Sequence, residues 1–194
     1  MDIAVMNAES EVSSSGASLL VCVCGGIAAY KVCHVVSRFA QRNITVRVAM
    51  TAHAGQFVGP LTFEALSGMP VLNSLWQITD AQDPQHINLA RRSACILIAP
   101  ATANMLAKMA HGIADDLVST LVLAAAPEKI IVAPAMNEAM WTNPATQANV
   151  EKLRGSGIEF VGPETGWQAC RTTGIGRMSE PDAIVSVVQR RIKL

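Results

Sequence analysis

The sequence predicts an α/β protein, a parallel sheet with helices on both faces, and three observations lead there. Short apolar runs of β type alternate with stretches of helical periodicity along most of the chain. Hydrophobic residues make up 51% of the 194 residues against 15% charged and 4% aromatic, a balance that suits strands buried on both sides. The first two strand candidates lie one helix apart, the spacing of a βαβ unit with a right-handed crossover.

Taken in order, residues 1–17 read as a disordered leader, because Asp2, Glu9, Glu11 and the serines Ser13, Ser14 and Ser15 supply neither the basic start nor the apolar core of a signal peptide. A single domain follows over 18–194. Its first strand is the apolar run 19–24, after which Gly25-Gly26 turns into a helix marked by Ala28, Val32, Val35, Val36 and Phe39. A second strand over 45–50 ends at Thr51. Residues 57–75 suggest short helices broken at Gly59-Pro60 and again over 68–70, and 79–85 is a polar loop ahead of a short helix over 87–92. Strands at 95–99, 130–133 and 159–161 alternate with helices near 104–111, 117–125 and 146–156, which completes a doubly wound pattern. The last helix, 181–191, opens at Glu180-Pro181-Asp182, where proline suits the first turn and acidic groups suit the positive end of the helix.

Composition narrows the partners. Lys and Arg number 15 and so do Asp and Glu, with no basic run, so nothing points to nucleic acid and a small-molecule partner is expected. The longest apolar stretches, 19–24, 94–101 and 121–126, fall short of the roughly 20 residues that a membrane helix needs. Cys22, Cys24, Cys33, Cys95 and Cys170 form an odd set without disulfide-framework spacing, which favours a reducing, cytoplasmic setting. No metal is expected: His34, His53 and His111 have no ligand spacing with one another or with the cysteines. Cys22 and Cys24, two apart on a strand, read as small buried apolar residues rather than a metal pair.

Ligands of doubly wound sheets gather at the carboxyl ends of the strands, so the turns there carry the candidates. At Gly25, Gly26 and Ile27 exposed backbone N–H groups can hold an anionic phosphate, or the glycines can simply make a tight turn. The spaced G-x-G-x-x-G pattern is missing, which favours a mononucleotide over a dinucleotide. The run Pro100-Ala101-Thr102-Ala103-Asn104 lets a ring system approach the backbone beside hydroxyl and amide groups, or Thr102 only caps a helix. A second turn of that kind is Pro134-Ala135-Met136-Asn137, and Thr51 can add a hydroxyl. An imidazole titrates near neutrality, so His86 can accept a proton, or is an ordinary loop histidine. Met140 and Trp141 suit either core packing or the wall of a site.

In chain order, GGIAAYK, PATANMLAKMAHGIADDLVST, PAMNEAMW and ACRTTGIGRM resemble the homo-oligomeric flavin-containing cysteine decarboxylases, over about residues 18–190. The most specific element is PAMNEAMW at 134–141, which matches that family's Pro-x-Met-Asn-x-x-Met-Trp signature. The resemblance implies a Rossmann-like flavoprotein fold, bound FMN, and a homo-oligomer that is a trimer or a dodecamer built from trimers. It implies a flavin contacted by Gly25, Gly26, Ile27, Thr51, Thr102, Ala103, Asn104, Met105 and Ala135. Within the family, Gln85-His86-Ile87-Asn88-Leu89-Ala90 and the Cys170 motif resemble the branch acting on 4'-phosphopantothenoylcysteine in coenzyme A biosynthesis.

By the same resemblance His86 is the active-site base, and Asn137 holds the substrate carboxylate through a neutral amide that does not over-stabilise the charge to be lost. Cys170, on a glycine-containing flap, donates a proton when an enethiol intermediate is reduced. The implied reaction oxidises the substrate cysteine to a thioaldehyde, releases carbon dioxide, and then reduces the enethiol. Met140 and Arg171 join the substrate site, Arg171 as a cation beside a thiolate or a substrate phosphate. Two departures stand out: Met105 occupies a position where many relatives have Thr, and Arg171-Thr172 replace the usual Gly-Asp. A decarboxylase of C-terminal peptide cysteine would share His86 and Asn137, but enzymes that stop at the enethiol typically lack the cysteine at Cys170. A non-catalytic regulatory subunit is the third reading, and the long acidic extension usual in such relatives is not visible here.

Overall fold

The structure, a computed structural model, describes residues 18–75 and 85–193, with the backbone alone for Gln85 and His86. The expected leader lies outside the described residues, as does the polar loop except for Gln85. Five strands, β1 (Ser18–Val23), β2 (Thr45–Met50), β3 (Cys95–Ala101), β4 (Ile130–Pro134) and β5 (Glu159–Phe160), form one sheet in the order β2-β1-β3-β4-β5. Every neighbouring pair in it is parallel. Chain direction across the sheet reverses between β1 and β3, the switch point beside which such sheets take their ligands.

Strand periodicity divides the interior into two cores. Leu19, Val21 and Val23 of β1, Leu97 of β3 and Ile131 of β4 face one side, while Leu20, Cys22, Ile96, Ile98, Ile130 and Val132 face the other. The first core is closed by α1 (Ala29–Ala40), α2 (Pro60–Ser67) and α8 (Pro181–Ile192), through Val32, Val36, Phe39, Phe63, Ile184 and Val188. The second is closed by α3 (Gln85–Arg92), α4 (Ala103–His111), α5 (Leu117–Leu123) and α7 (Pro144–Gly155), through Ala90, Leu106, Leu121 and Val150. Cys22 and Cys24 share the second core as the strand period requires, and burial pushes the Cys24 thiol up to about 12. No described helix is long and apolar enough to cross a membrane.

The structure corrects several expectations. Between 57 and 75 it has one helix, α2, opened by Pro60 and closed at Gly68. β3 and β4 run on to Ala101 and Pro134, because the two strands stay paired beyond a register shift, Ala101 opposite Pro134. Inside PAMNEAMW a single turn, α6 (Glu138–Trp141), follows Asn137. α3 starts at Gln85, so His86 lies in a helix rather than a loop. The stretch expected to be a glycine-containing flap is an antiparallel hairpin, β6 (Glu164–Trp167) and β7 (Thr173–Arg177), with Cys170 in its turn. Gly166, Gly174 and Gly176 weaken the strand signal there, and close approach of other groups is what uses them.

Ahead of α5, Asp116 builds a capping box: its Oδ1 accepts from the Ser119 N–H at 2.8 Å, and the Ser119 hydroxyl accepts from the Asp116 N–H at 3.1 Å. Lys108 at the end of α4 donates to Asp116 Oδ2 at 2.7 Å, tying the two helices. Burial opposes ionisation of Asp116, but the bonds from Lys108 and Ser119 together hold its carboxyl below the usual range. Its contribution is therefore full above the ordinary aspartate value, about 3.9, and is lost as pH falls through the lower folded value. Asp116→Ala should lower stability by about 0.5–2 kcal/mol at neutral pH. In urea titrations from pH 7 downwards, the gap between variant and wild type should close only in the acid range.

Candidate active site

Four strand-end turns meet at the carboxyl edge of the sheet. The Thr51 N–H after β2 donates to Val23 O of β1 at 3.0 Å, and the Ala135 N–H after β4 donates to Ala101 O of β3 at 3.0 Å. A Cβ at Gly25 would lie 2.4 Å from His53 Cβ, so only glycine lets the first turn close on the second. From Gly26 a Cβ would make ordinary contacts with Pro100 Cγ at 3.6 Å and Thr102 Cγ2 at 3.8 Å, which places the first turn against the third across the switch point. These contacts bring the four turns together, with Gly25, Gly26, Thr51, Thr102 and Ala135 on them.

What those turns offer suits a flavin mononucleotide. α1 begins with neither a side-chain cap nor an acidic residue in its first turn, so its positive end is open to a phosphate, although the Ala29 and Lys31 N–H groups already donate to Gly26 O and Ala28 O. Thr51 Oγ1 is buried without a hydrogen-bond partner, as a hydroxyl waiting for an external polar atom would be. Thr102 caps α4 by accepting from the Met105 N–H at 3.2 Å, which leaves its own hydroxyl hydrogen to donate. Ala103 and Ala135 are half-buried, and Asn104 and Ile27 are exposed. Met105 stands apart, since its side chain is in the second core and its N–H is taken by the cap.

Beside this cradle the hairpin docks on α6. The Met136 N–H donates to Gly176 O at 2.9 Å, the Ile175 N–H to Glu138 Oε1 at 3.2 Å, and the Glu138 N–H to Gln168 Oε1 at 3.2 Å. Gly176 has φ of +131° and a Cβ there would lie 2.4 Å from Met136 O; a Cβ at Gly174 would lie 2.5 Å from Glu138 Cδ. Gln168 is buried, and its Nε2 donates to Ile175 O at 3.0 Å and Gly174 O at 3.3 Å, so this one amide joins β7 to the start of α6. Sequence reasoning missed Gln168 and Glu138. Their signal was faint: both are polar residues inside or beside the quoted motifs, and their partners lie far off in the chain.

The docking brings Cys170 to Asn137. Asn137 caps α6, its Oδ1 accepting from the Met140 N–H at 3.1 Å, and its Nδ2 points at Cys170 Sγ, 4.0 Å away. Cys170 is exposed. The Thr172 hydroxyl above all, then, against desolvation, the Asn137 amide and the backbone of Thr172 and Cys170, hold its thiol below the ordinary cysteine value. Arg171 follows in the turn at φ of +65°. The alternatives for the aromatic end of the motif divide, Trp141 lying in the core and Met140 being 49% exposed. His86 is placed by its backbone in the first turn of α3.

The fold matches that of known flavoprotein decarboxylase structures. The profile of the Flavoprotein family matches residues 7–193. The chain is 44% identical over 177 residues to the coenzyme A biosynthesis bifunctional protein CoaBC of Vibrio vulnificus, a match covering 91% of this chain and 44% of that protein. It thus spans less than half the length of the curated relatives it matches. Among solved structures, a PPC decarboxylase mutant complexed with pantothenoylaminoethenethiol superposes with a TM-score of 0.81 at 30% identity, over 92% of this chain and 100% of that one. The FMN-dependent cysteine decarboxylase SpaF gives 0.77 at 34% identity, over 92% and 98%.

Docking of the hairpin can be tested without any ligand. Gly176→Ala forces a side chain into the Met136 carbonyl at a backbone angle that L residues rarely adopt, a strain of about 1–3 kcal/mol. Hydrogen exchange at the Met136 and Ile175 amides should accelerate in this variant, whereas Gly155→Ala, which meets nothing within 4 Å, should leave both protected.

Proposed function

The chain belongs to the Flavoprotein family, and from that premise we propose that it is an FMN-dependent decarboxylase that converts 4'-phosphopantothenoylcysteine to 4'-phosphopantetheine in coenzyme A biosynthesis. FMN, when bound, supplies the reversible two-electron chemistry that lets the substrate cysteine lose its carboxylate. Gly25, Gly26, Ile27 and the start of α1 would hold its phosphate, and Thr51, Thr102, Ala103, Asn104 and Ala135 the rest.

The observation that carries this reading is the pairing of Asn137 with Cys170 over the docked hairpin. Because Oδ1 of Asn137 is engaged by the Met140 N–H, its Nδ2 is the group turned to the substrate, where it donates to the carboxylate. A neutral donor orients that group, while a full positive charge would stabilise the very anion the reaction must give up. His86 takes the proton of the substrate thiol as the first half-reaction begins. Cys170, exposed and with its thiol held below the ordinary value, returns a proton to the enethiol carbon in the second half. Arg171, at the tip of the turn, supplies a cation for the substrate phosphate, and Met140 gives an apolar wall. The compound complexed with the PPC decarboxylase relative, an aminoethenethiol, is of the kind that a stalled second half-reaction would leave. The working unit is a homotrimer, alone or assembled into a dodecamer, in keeping with apolar side chains as exposed as Leu61 and Ile27.

The test is chemical. The purified chain should be yellow, and should release carbon dioxide from phosphopantothenoylcysteine and not from a peptide ending in cysteine. His86→Asn should abolish that release. Cys170→Ser should retain it but accumulate the enethiol, lighter than the wild-type product by a pair of hydrogens, because a serine hydroxyl is a much weaker acid than a thiol. A colourless protein that takes up no added FMN, or a Cys170→Ser variant that makes the fully reduced product at the wild-type rate, would overturn the assignment.

A further inference from the structure

We propose that Thr172 is a positioning residue for Cys170: its hydroxyl, set 3.0 Å from Sγ by the hairpin turn, donates to the thiolate that remains when Cys170 gives up its proton. The role in turnover rests on the proton-donor reading given above, whereas the contact itself does not. The turn is closed by two backbone bonds, Gln168 N–H to Thr172 O and Arg171 N–H to Gln168 O, both 2.9 Å. With Arg171 left-handed between them, the side chains two residues apart reach each other. Threonine suits the task because β-branching restricts its χ1.

The three side chains on the sulfur have different capacities. Gln168 presents Oε1 at 3.5 Å, which can only accept, and its Nε2 is committed to Gly174 O and Ile175 O, so the amide cannot turn over. It therefore serves the S–H form. Asn137 presents Nδ2 at 4.0 Å, which can only donate and serves the thiolate from the limit of hydrogen-bond range. Thr172 alone can do both, accepting from S–H before proton transfer and donating to the sulfur after it. The proton leaves Sγ for its acceptor with the electron pair staying on sulfur, and rotation of one hydroxyl hydrogen answers the new charge. All the hydrogen-bond partners the structure gives Sγ are neutral. Of the charged groups on the elements around it, Glu138 on α6 accepts from the Ile175 N–H, Arg177 on β7 pairs with Glu180, which also binds Lys31 of α1, and Arg171 is the neighbour in the turn. An aspartate in place of Thr172 would set a carboxylate against the thiolate and disfavour it.

Alkylation of Cys170 by iodoacetamide in the full-length, flavin-loaded protein, followed by peptide mass against pH, reads the thiolate without any substrate. Thr172→Val should move the half-reaction pH upward by roughly one pH unit, a loss of about tenfold in thiolate at neutral pH. Thr172→Ser should restore the wild-type curve. An unmoved curve in Thr172→Val overturns the proposal, and so does an equal shift in Thr172→Ser, which would make the effect one of shape. Protection of the Met136 amide in each variant checks that the hairpin stays docked. If the curve behaves as expected but Cys170→Ser still yields fully reduced product at the wild-type rate, the positioning contact stands and the proton-donor reading falls.

Discussion

The three central strands of the sheet are buried on both faces, and that constraint shapes everything else in the molecule. β3 and β4 are buried along their whole length, and β1 along all but its first residue. A strand in that position has no room for a charged or hydrogen-bonding side chain. Polar chemistry is pushed to where the strands stop, and parallel pairing brings all of those ends to one edge. The buried thiols illustrate the rule from the opposite side: Cys95, inside the sheet, is driven up to about 12 by burial, while Cys170, outside it, moves down.

At that edge two kinds of part are joined. The turns after β1 to β4 form a fixed floor whose spacing is set by backbone contacts and by Gly25. The hairpin is an added wall, held to the floor by the Met136–Gly176 bond and by the paired use of Gln168 and Glu138. Neither part alone sets Asn137 against Cys170. The amide comes from a helix cap at the end of β4 and the thiol from a turn 33 residues later, so the site exists only while the two are docked.

Much of the floor was legible in the sequence because its signals are local. Apolar runs, glycines directly after a strand, and a Thr or Asn ahead of a helix each reveal themselves within a few residues, and Gly25, Thr102 and Asn137 all lie on the turns their patterns suggest. The wall was not legible. Its strands are short and glycine-rich, and what stabilises them is contact with residues 30 and 37 positions away, which no periodicity records. Met105 shows the converse limit: its place inside a motif suggests a residue facing the ligand, and the helix period turns its side chain into the core instead.

Arg171 gives the hairpin a mechanical property. A residue with a Cβ held in the left-handed region carries a cost of about 1–2 kcal/mol that glycine would not. The closed turn bears that strain, and any arrangement in which Arg171 leaves the conformation recovers it. The tip of the wall is therefore held under strain by its own pair of hydrogen bonds, Gln168 N–H to Thr172 O and Arg171 N–H to Gln168 O.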